Sequence, residues 1–259
     1  MKQLPECSGD YHKTTTIHTH TVMKHLVLCT LAAAAALLPT ALQAEATNQW
    51  SFDVSLYGLA AGMSGDVTVK GVSSDLDVGF DKIWANLKFG AMGSARVGYG
   101  KWALSTEVIY MDLEGSKGPF TGKAQQWLVQ PALEYQIAPY VGVYAGTRYN
   151  SLHLELDGPG AINVSGTHEW WDPVLGARFN LPVWKRLSFN LTGDFGGFDV
   201  GSRLTWQAYP YLSWQLSKLA SVQVGYRLLY TDYETGSGLN RFKYDVLTHG
   251  PQIGFTLSF

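Results

Sequence analysis

The sequence is short of charge. Asp, Glu, Lys and Arg make up 15% of its 259 residues, where an ordinary soluble domain carries about 25%. A conventional solvated surface is therefore excluded for most of the chain. There is no basic excess either: Lys and Arg number 19 against 21 acids and are scattered, which excludes the cationic stripe of a nucleic-acid binder. Cysteine is confined to Cys7 and Cys29, so disulfide, zinc-thiolate and thiol chemistry are excluded beyond residue 46. The longest apolar run, Leu26 to Leu38, spans 13 residues, and a membrane-spanning helix needs about 20. Aromatics are what the chain has in quantity. Its 9 Trp, 14 Tyr and 11 Phe give far more burial capacity than a disordered segment carries.

Residues 1–46 read as an N-terminal extension and signal peptide. Lys24 and His25 precede the apolar run, and Pro39 and the small-residue stretch Ala41 to Ala46 follow it. That is the order of a secretory signal, with cleavage expected after Ala44 or Ala46. Met23 fits the initiator of a signal of ordinary length, and Leu28 before Cys29 does not suit lipid attachment at that cysteine. Export leads to the periplasm, outer membrane or exterior, and residues 47–259 are expected to form one domain.

That domain alternates with period two throughout. Trp50, Phe52, Val54 and Leu56 oppose Ser51, Asp53, Ser55 and Tyr57; Val141, Val143, Ala145, Thr147 and Tyr149 oppose Gly142, Gly146, Arg148 and Asn150. Leu187, Phe189, Leu191 and Phe195 oppose Ser188, Asn190, Thr192 and Asp194, and Ile253, Phe255, Leu257 and Phe259 close the chain against Gln252, Gly254, Thr256 and Ser258. Ten such segments can be traced, each a strand with one apolar face.

Alternation alone does not say which face points inward, since a water-soluble barrel and a membrane barrel are inside-out versions of one pattern. Four features point to the membrane form. Tight connections at 98–101, 138–140, 182–186 and 217–220 alternate with longer ones at 61–86, 114–124, 156–164, 197–203 and 232–242. Aromatics gather in two bands, Trp50, Tyr99, Trp102, Tyr135 and Trp214 near the tight turns and Tyr110, Trp127, Tyr149, Trp171, Trp206, Tyr230 and Tyr244 near the long ones, as at two lipid interfaces. The polar face holds Gly, Ser and Gln, as a crowded lumen requires. Segments of 11 to 15 residues exceed the ~9 to 11 tilted residues that cross a bilayer. Because hydrocarbon offers no partner to backbone N–H or C=O, such a sheet must close on itself. The expectation is an all-β, closed, antiparallel up-and-down transmembrane barrel of about ten strands, with eight or twelve as alternatives.

The stretches Gly65 to Leu87, Phe89-Gly-Ala-Met-Gly93, Trp102 to Leu113, Gly225 to Tyr233 and Gly250 to Phe259 resemble the small Gram-negative outer-membrane barrels, broadly OmpA/OmpW-like. The resemblance covers essentially residues 47–259. It implies an outer-membrane location, contact with outer-membrane lipid, and a C-terminal strand (Phe255, Leu257, Phe259) read by the barrel-assembly machinery. It carries no catalytic motif.

The expected lumen charges are Asp53, Glu107, Glu134, Asp172 and Asp194 with Arg96, Arg148, Arg178 and Arg227. Five acids and four arginines facing one narrow interior should pair, because an unpaired buried charge is costly. A salt-bridged plug is the leading reading and a rearranging polar conduit the second. In the longest connection Val67 to Lys70 reads as a short strand, and Phe80, Ile83, Trp84 and Leu87 after it fall at helical spacing and predict a short helix at the barrel mouth, or folded into it, that buries them. Histidines beyond residue 46 are His153, His168 and His249. A hydrolase built on His168 or His249 is the alternative, set against the absence of a Gly-X-Ser-X-Gly elbow. Adhesion through 115–123 or 232–241 is a third class. Asp75, Asp77 and Asp81 read as a solvated loop, and no metal, no cofactor and no enzyme activity are expected.

Overall fold

The computed structural model describes residues 49–69, 72–117, 120–158 and 162–259; the expected extension and signal, and with them the cleavage site, lie outside the described residues. Elements follow in the order β1 (Trp50–Leu59), β2 (Gly62–Val69), β3 (Val72–Val78), α1 (Phe80–Asn86), β4 (Leu87–Tyr99), β5 (Trp102–Lys117), β6 (Phe120–Ala138), β7 (Val141–Gly158), β8 (Ile162–Trp184), β9 (Leu187–Gly197), β10 (Leu204–Gln215), β11 (Ala220–Thr235) and β12 (Phe242–Ser258).

Twelve strand segments make ten walls. β1 and β2 pair with β12 in one register, Leu59 opposite Gln252 and Gly62 opposite His249, so together they form a single wall strand. β4 returns beside β1 and β3 beside β2, with α1 inserted where a straight return strand would run on. From β4 to β12 each strand pairs antiparallel with the next, and β12 closes on β1. The seam is fastened at its end by Phe259 N–H to Phe52 O at 2.8 Å and Phe52 N–H to Phe259 O at 3.0 Å. Closure gives both edges of every wall strand a paired neighbour across the bilayer, as lipid demands.

The outward face is apolar over a band bounded by aromatics. Leu56, Leu104, Leu133, Leu175, Val224, Ile253 and Phe255 lie exposed within it. Cross-strand pairs Trp50–Tyr99 (5.0 Å between rings) and Trp102–Tyr135 (4.7 Å) edge it at the tight-turn end, and Tyr110–Trp127 (4.5 Å) and Tyr149–Trp171 (4.8 Å) edge it at the other. So large an exposed apolar belt is stable only against lipid. Tyr244, expected in the second band, instead points inward and packs on Trp170.

The long connections at the outer end are mostly strand. β5 and β6 pair as far as Lys117 opposite Phe120, and β7 and β8 as far as Gly158 opposite Ile162; β11 runs to Thr235. The connection 61–86, read as a short strand at Val67 to Lys70 followed by a helix, is the β2–β3 hairpin followed by α1: the expected strand is the end of β2, with Lys70 outside the described residues, and its partner β3 was not expected. The walls therefore project well past the upper aromatic band, and there the alternation changes sense. On β7 the outward positions go from Val143 and Ala145 to His153 and Glu155, while the inward ones go from Arg148 and Asn150 to the apolar Leu152 and Leu154. On β12, Asp245 and Lys243 replace Phe255 and Ile253 outside, and Phe242, Tyr244 and Val246 are buried inside. Below the band the barrel is polar within and apolar without; above it, where water replaces lipid, the order reverses.

Candidate functional site: the lumen

The lumen is filled by three layers. In the outermost, Leu152, Trp170, Phe242, Tyr244 and Val246 form a buried cluster with Met63, Val67, Val69, Leu154 and Tyr233 against it. Trp170 stacks on Tyr233 with ring centres 4.1 Å apart, and His168 on Phe242 at 3.7 Å. Beneath it, Ile109 and Leu128 from β5 and β6 meet Leu229 of β11, on the opposite wall, with Met92 alongside. The sequence reading placed no apolar core inside the barrel. The signal was present in the inward run Leu229, Thr231, Tyr233, whose parity continues that of Arg227.

The second layer is built on Arg148, whose side chain is fully buried with that of Asp194. Arg148 Nη2 donates to Asp194 at 2.7 Å, Nε to Gln130 Oε1 at 2.9 Å and Nη1 to Thr205 at 2.7 Å. Asp194 also accepts from Gln130 (2.9 Å), Gln207 (2.6 Å) and the Tyr144 hydroxyl (2.8 Å). Four walls, β6, β7, β9 and β10, are thus cross-linked around one ion pair. Tyr144 reaches Asp194 because Gly176 lies under its ring: a Cβ there would meet the Tyr144 ring at 2.3 Å.

The third layer faces the tight-turn end. Arg227 Nη2 donates to Glu107 across the lumen at 2.6 Å, and Tyr57 donates to the same carboxylate. Arg96 bridges Glu134 at 2.9 Å and Asp53 at 3.4 Å, and Arg178 lies 3.1 Å from the other oxygen of Glu134. The nine charges named from the sequence all point inward, and eight of them are joined as acid and arginine.

Asp172 departs from that expectation. Among the described residues it meets no arginine and instead accepts from Ser202 N–H (2.6 Å) and hydroxyl (2.9 Å), Asn150 (3.2 Å) and Trp170 Nε1 (3.1 Å). It pins the β9–β10 turn, whose Phe198 and Asp199 hold φ of 51° and 60° in a left-handed conformation that non-glycine residues adopt at a cost. Replacing Asp172 with Ala should release that turn, losing about 2 kcal/mol or more through the orphaned donors. Limited proteolysis at 198–203 and faster exchange of the Ser202 amide would report it.

The remaining candidates are dispersed. Of the mouth residues only Ile83 is buried; Phe80 and Trp84 are 42% and 66% exposed, and Leu87 begins β4 half-buried. A seven-residue helix offers one apolar stripe, and Ile83 alone faces the wall, so the expected burial of all four is corrected. His249 faces outward, its Nδ1 2.7 Å from the Tyr226 hydroxyl, and His168 is occupied by its stack on Phe242. No group of three or more His, Cys, Asp and Glu positioned for a metal occurs among the described residues. Phe255, Leu257 and Phe259 face outward along β12.

No known protein-family model matches the sequence, and none of the curated proteins compared with it is similar. Among solved structures the chain is similar to the attachment invasion locus protein Ail of Yersinia pestis, with 12% identity, a TM-score of 0.40, and 81% of this chain and 98% of that one covered. It is similar also to the outer membrane protease OmpT of Escherichia coli (7%, TM-score 0.47, 82% and 98%) and to the translocator domain of the autotransporter NalP of Neisseria meningitidis (12%, TM-score 0.37, 93% and 96%). These identities carry no residue role across. The lipid-facing belt and its two aromatic girdles decide the setting. The protein is an outer-membrane β-barrel.

Proposed function

We propose that this outer-membrane barrel is closed to the passage of solutes and acts as a structural membrane protein, its interior devoted to holding the walls together. The observation that carries this reading is the Arg148–Asp194 pair, dry and tied to four walls, with Ile109, Leu128 and Leu229 meeting across the lumen directly above it. An ion crossing the lumen would have to break that pair and shed its own water among apolar side chains, and both steps are costly. Insertion through the β12 signal and contact with the barrel-assembly machinery belong to the same proposal, supported by the outward row Phe255, Leu257 and Phe259.

Planar-bilayer recording of the refolded protein tests the reading. The expected trace is flat, without stable conductance steps, and the Arg148→Ser/Ile109→Ser/Leu229→Ser variant is expected to acquire them. Stable, porin-sized steps from the unaltered chain would overturn the proposal.

A further inference from the structure

Below the Arg148 layer the side chains leave a cavity of about 450 Å³, within the size range of small-molecule pockets. Gln130, Gln207 and Tyr144 roof it, and its lining reaches Lys101, Pro139 and Tyr140 at the tight-turn end, the end that faces the periplasm in outer-membrane barrels with short turns there. Three guanidiniums converge on it from separate walls, Arg96 from β4, Arg178 from β8 and Arg227 from β11. With Lys101 they make four cations on the lining against three carboxylates, Asp53, Glu107 and Glu134.

Those carboxylates leave much of the donor capacity unmet. Each guanidinium offers five N–H groups, yet the contacts to carboxylate oxygen are two from Arg96, one from Arg178 and one from Arg227, and Glu134 is shared between two arginines. Arg227 is 5% exposed, and among the described residues its Nε and Nη1, like Nε of Arg178, are buried without a hydrogen-bond acceptor, while Glu134 Oε1, the Tyr209 hydroxyl and Gln252 Oε1 are the oxygens beside them without a hydrogen-bond partner. The Arg227 guanidinium lies against the Tyr57 and Tyr209 rings, 5.3 and 5.0 Å from their centres, and Tyr209 stacks on Tyr211 at 4.5 Å. Fork-shaped donors select carboxylates by bidentate geometry, and flat tyrosine faces suit a planar body.

We infer that this cavity is a binding pocket for a small organic carboxylate with a flat unsaturated body, taken up from the periplasmic side. Its carboxylate is received by Arg178, whose side chain is 41% exposed, and its body lies along Tyr57 and Tyr211, with Tyr209 packed behind them. The inference goes beyond the closed-lumen reading and takes one thing from it: the pocket is a dead end rather than a station on a path.

Calorimetric titration of the barrel in detergent micelles with benzoate, against benzamide as its neutral match and empty micelles as blank, tests the inference. Benzoate is expected to bind saturably. Arg178→Gln should weaken it about tenfold or more, the loss of one charge-assisted contact, while Lys123→Gln on the outer wall leaves it unchanged. Arg178→Lys, which keeps the charge but not the fork, should fall between and serves if the Gln variant does not fold. Heats equal to the blank, equal affinity for benzamide, or affinity indifferent to both Arg178 variants would overturn the proposal. Benzoate failing while the bilayer trace stays flat sinks the pocket alone; conductance steps in a protein that binds benzoate sink the closed lumen alone.

Discussion

Replacing Asp194 with Leu is expected to cost about 3–5 kcal/mol of stability, because Arg148 would remain buried without its counter-charge. Gln130, Gln207 and Tyr144, which also donate to Asp194, would lose their acceptor in the same step. Urea titration in micelles, followed by the loss of the compact, heat-modifiable band on gels, measures it. Arg148→Met alone should be costly for the converse reason. The double variant should lose less than the two single losses together, by a coupling of about 1–3 kcal/mol, since neither charge is then stranded. Strict additivity would mean that the pair is solvated and that the layer does not close the lumen.

The second large effect concerns the outer wall. Leu175 and Ser165 lie on the same strand and the same outward face, Leu175 between the aromatic bands and Ser165 beyond the upper one, past Trp171. Leu175→Arg should destabilise the barrel by about 2–4 kcal/mol, the cost of a cation held near the bilayer midplane, and Ser165→Arg by about 0–1 kcal/mol. The same urea titration in lipid vesicles gives both values. Equal effects at the two sites would mean that the upper aromatic band, which holds Trp171 on β8, does not mark the edge of the lipid.

Much of this architecture was legible in the sequence because period two is a direct consequence of strand geometry. Trp50 to Tyr57 and Ile253 to Ser258 give their strands and faces without tertiary information, and closure follows from unpaired backbone in hydrocarbon. The change of face was harder to see. A strand that leaves the membrane keeps its alternation but exchanges which set is polar. Lys243 and Asp245 have the parity of Phe255, so they read as exceptions on a lipid face until the position of the aromatic band is known. Of the hairpin β2–β3 only the stretch from Val67 was legible, for a related reason: Gly65, Asp66, Ser73 and Asp75 break the apolar pattern in a segment that touches water.

For the site, charge type and parity identified which residues face inward but not which of them meet. Neighbouring wall strands share their pairing register, yet Arg227 and Glu107 lie 120 positions apart on opposite walls, a relation set by barrel circumference and shear. Asp172 shows the same limit. A count of five acids against four arginines leaves one acid over, and only the turn at 198–203, folded back to present Ser202, determines that Asp172 is the one.

Residues 47–259 contain no cysteine, so single nitroxide labels can be placed at will. Measured in vesicles, labels at Leu175→Cys and Phe255→Cys should be relaxed by dissolved oxygen and shielded from a water-soluble nickel chelate. A label at Asp245→Cys should show the reverse, and one at Ile109→Cys, in the apolar cluster that crosses the lumen, should be reached weakly by both. Nickel contact at Leu175 and Phe255, with Ile109 reached freely by the chelate, would contradict a lipid-facing belt around a closed, charge-paired lumen.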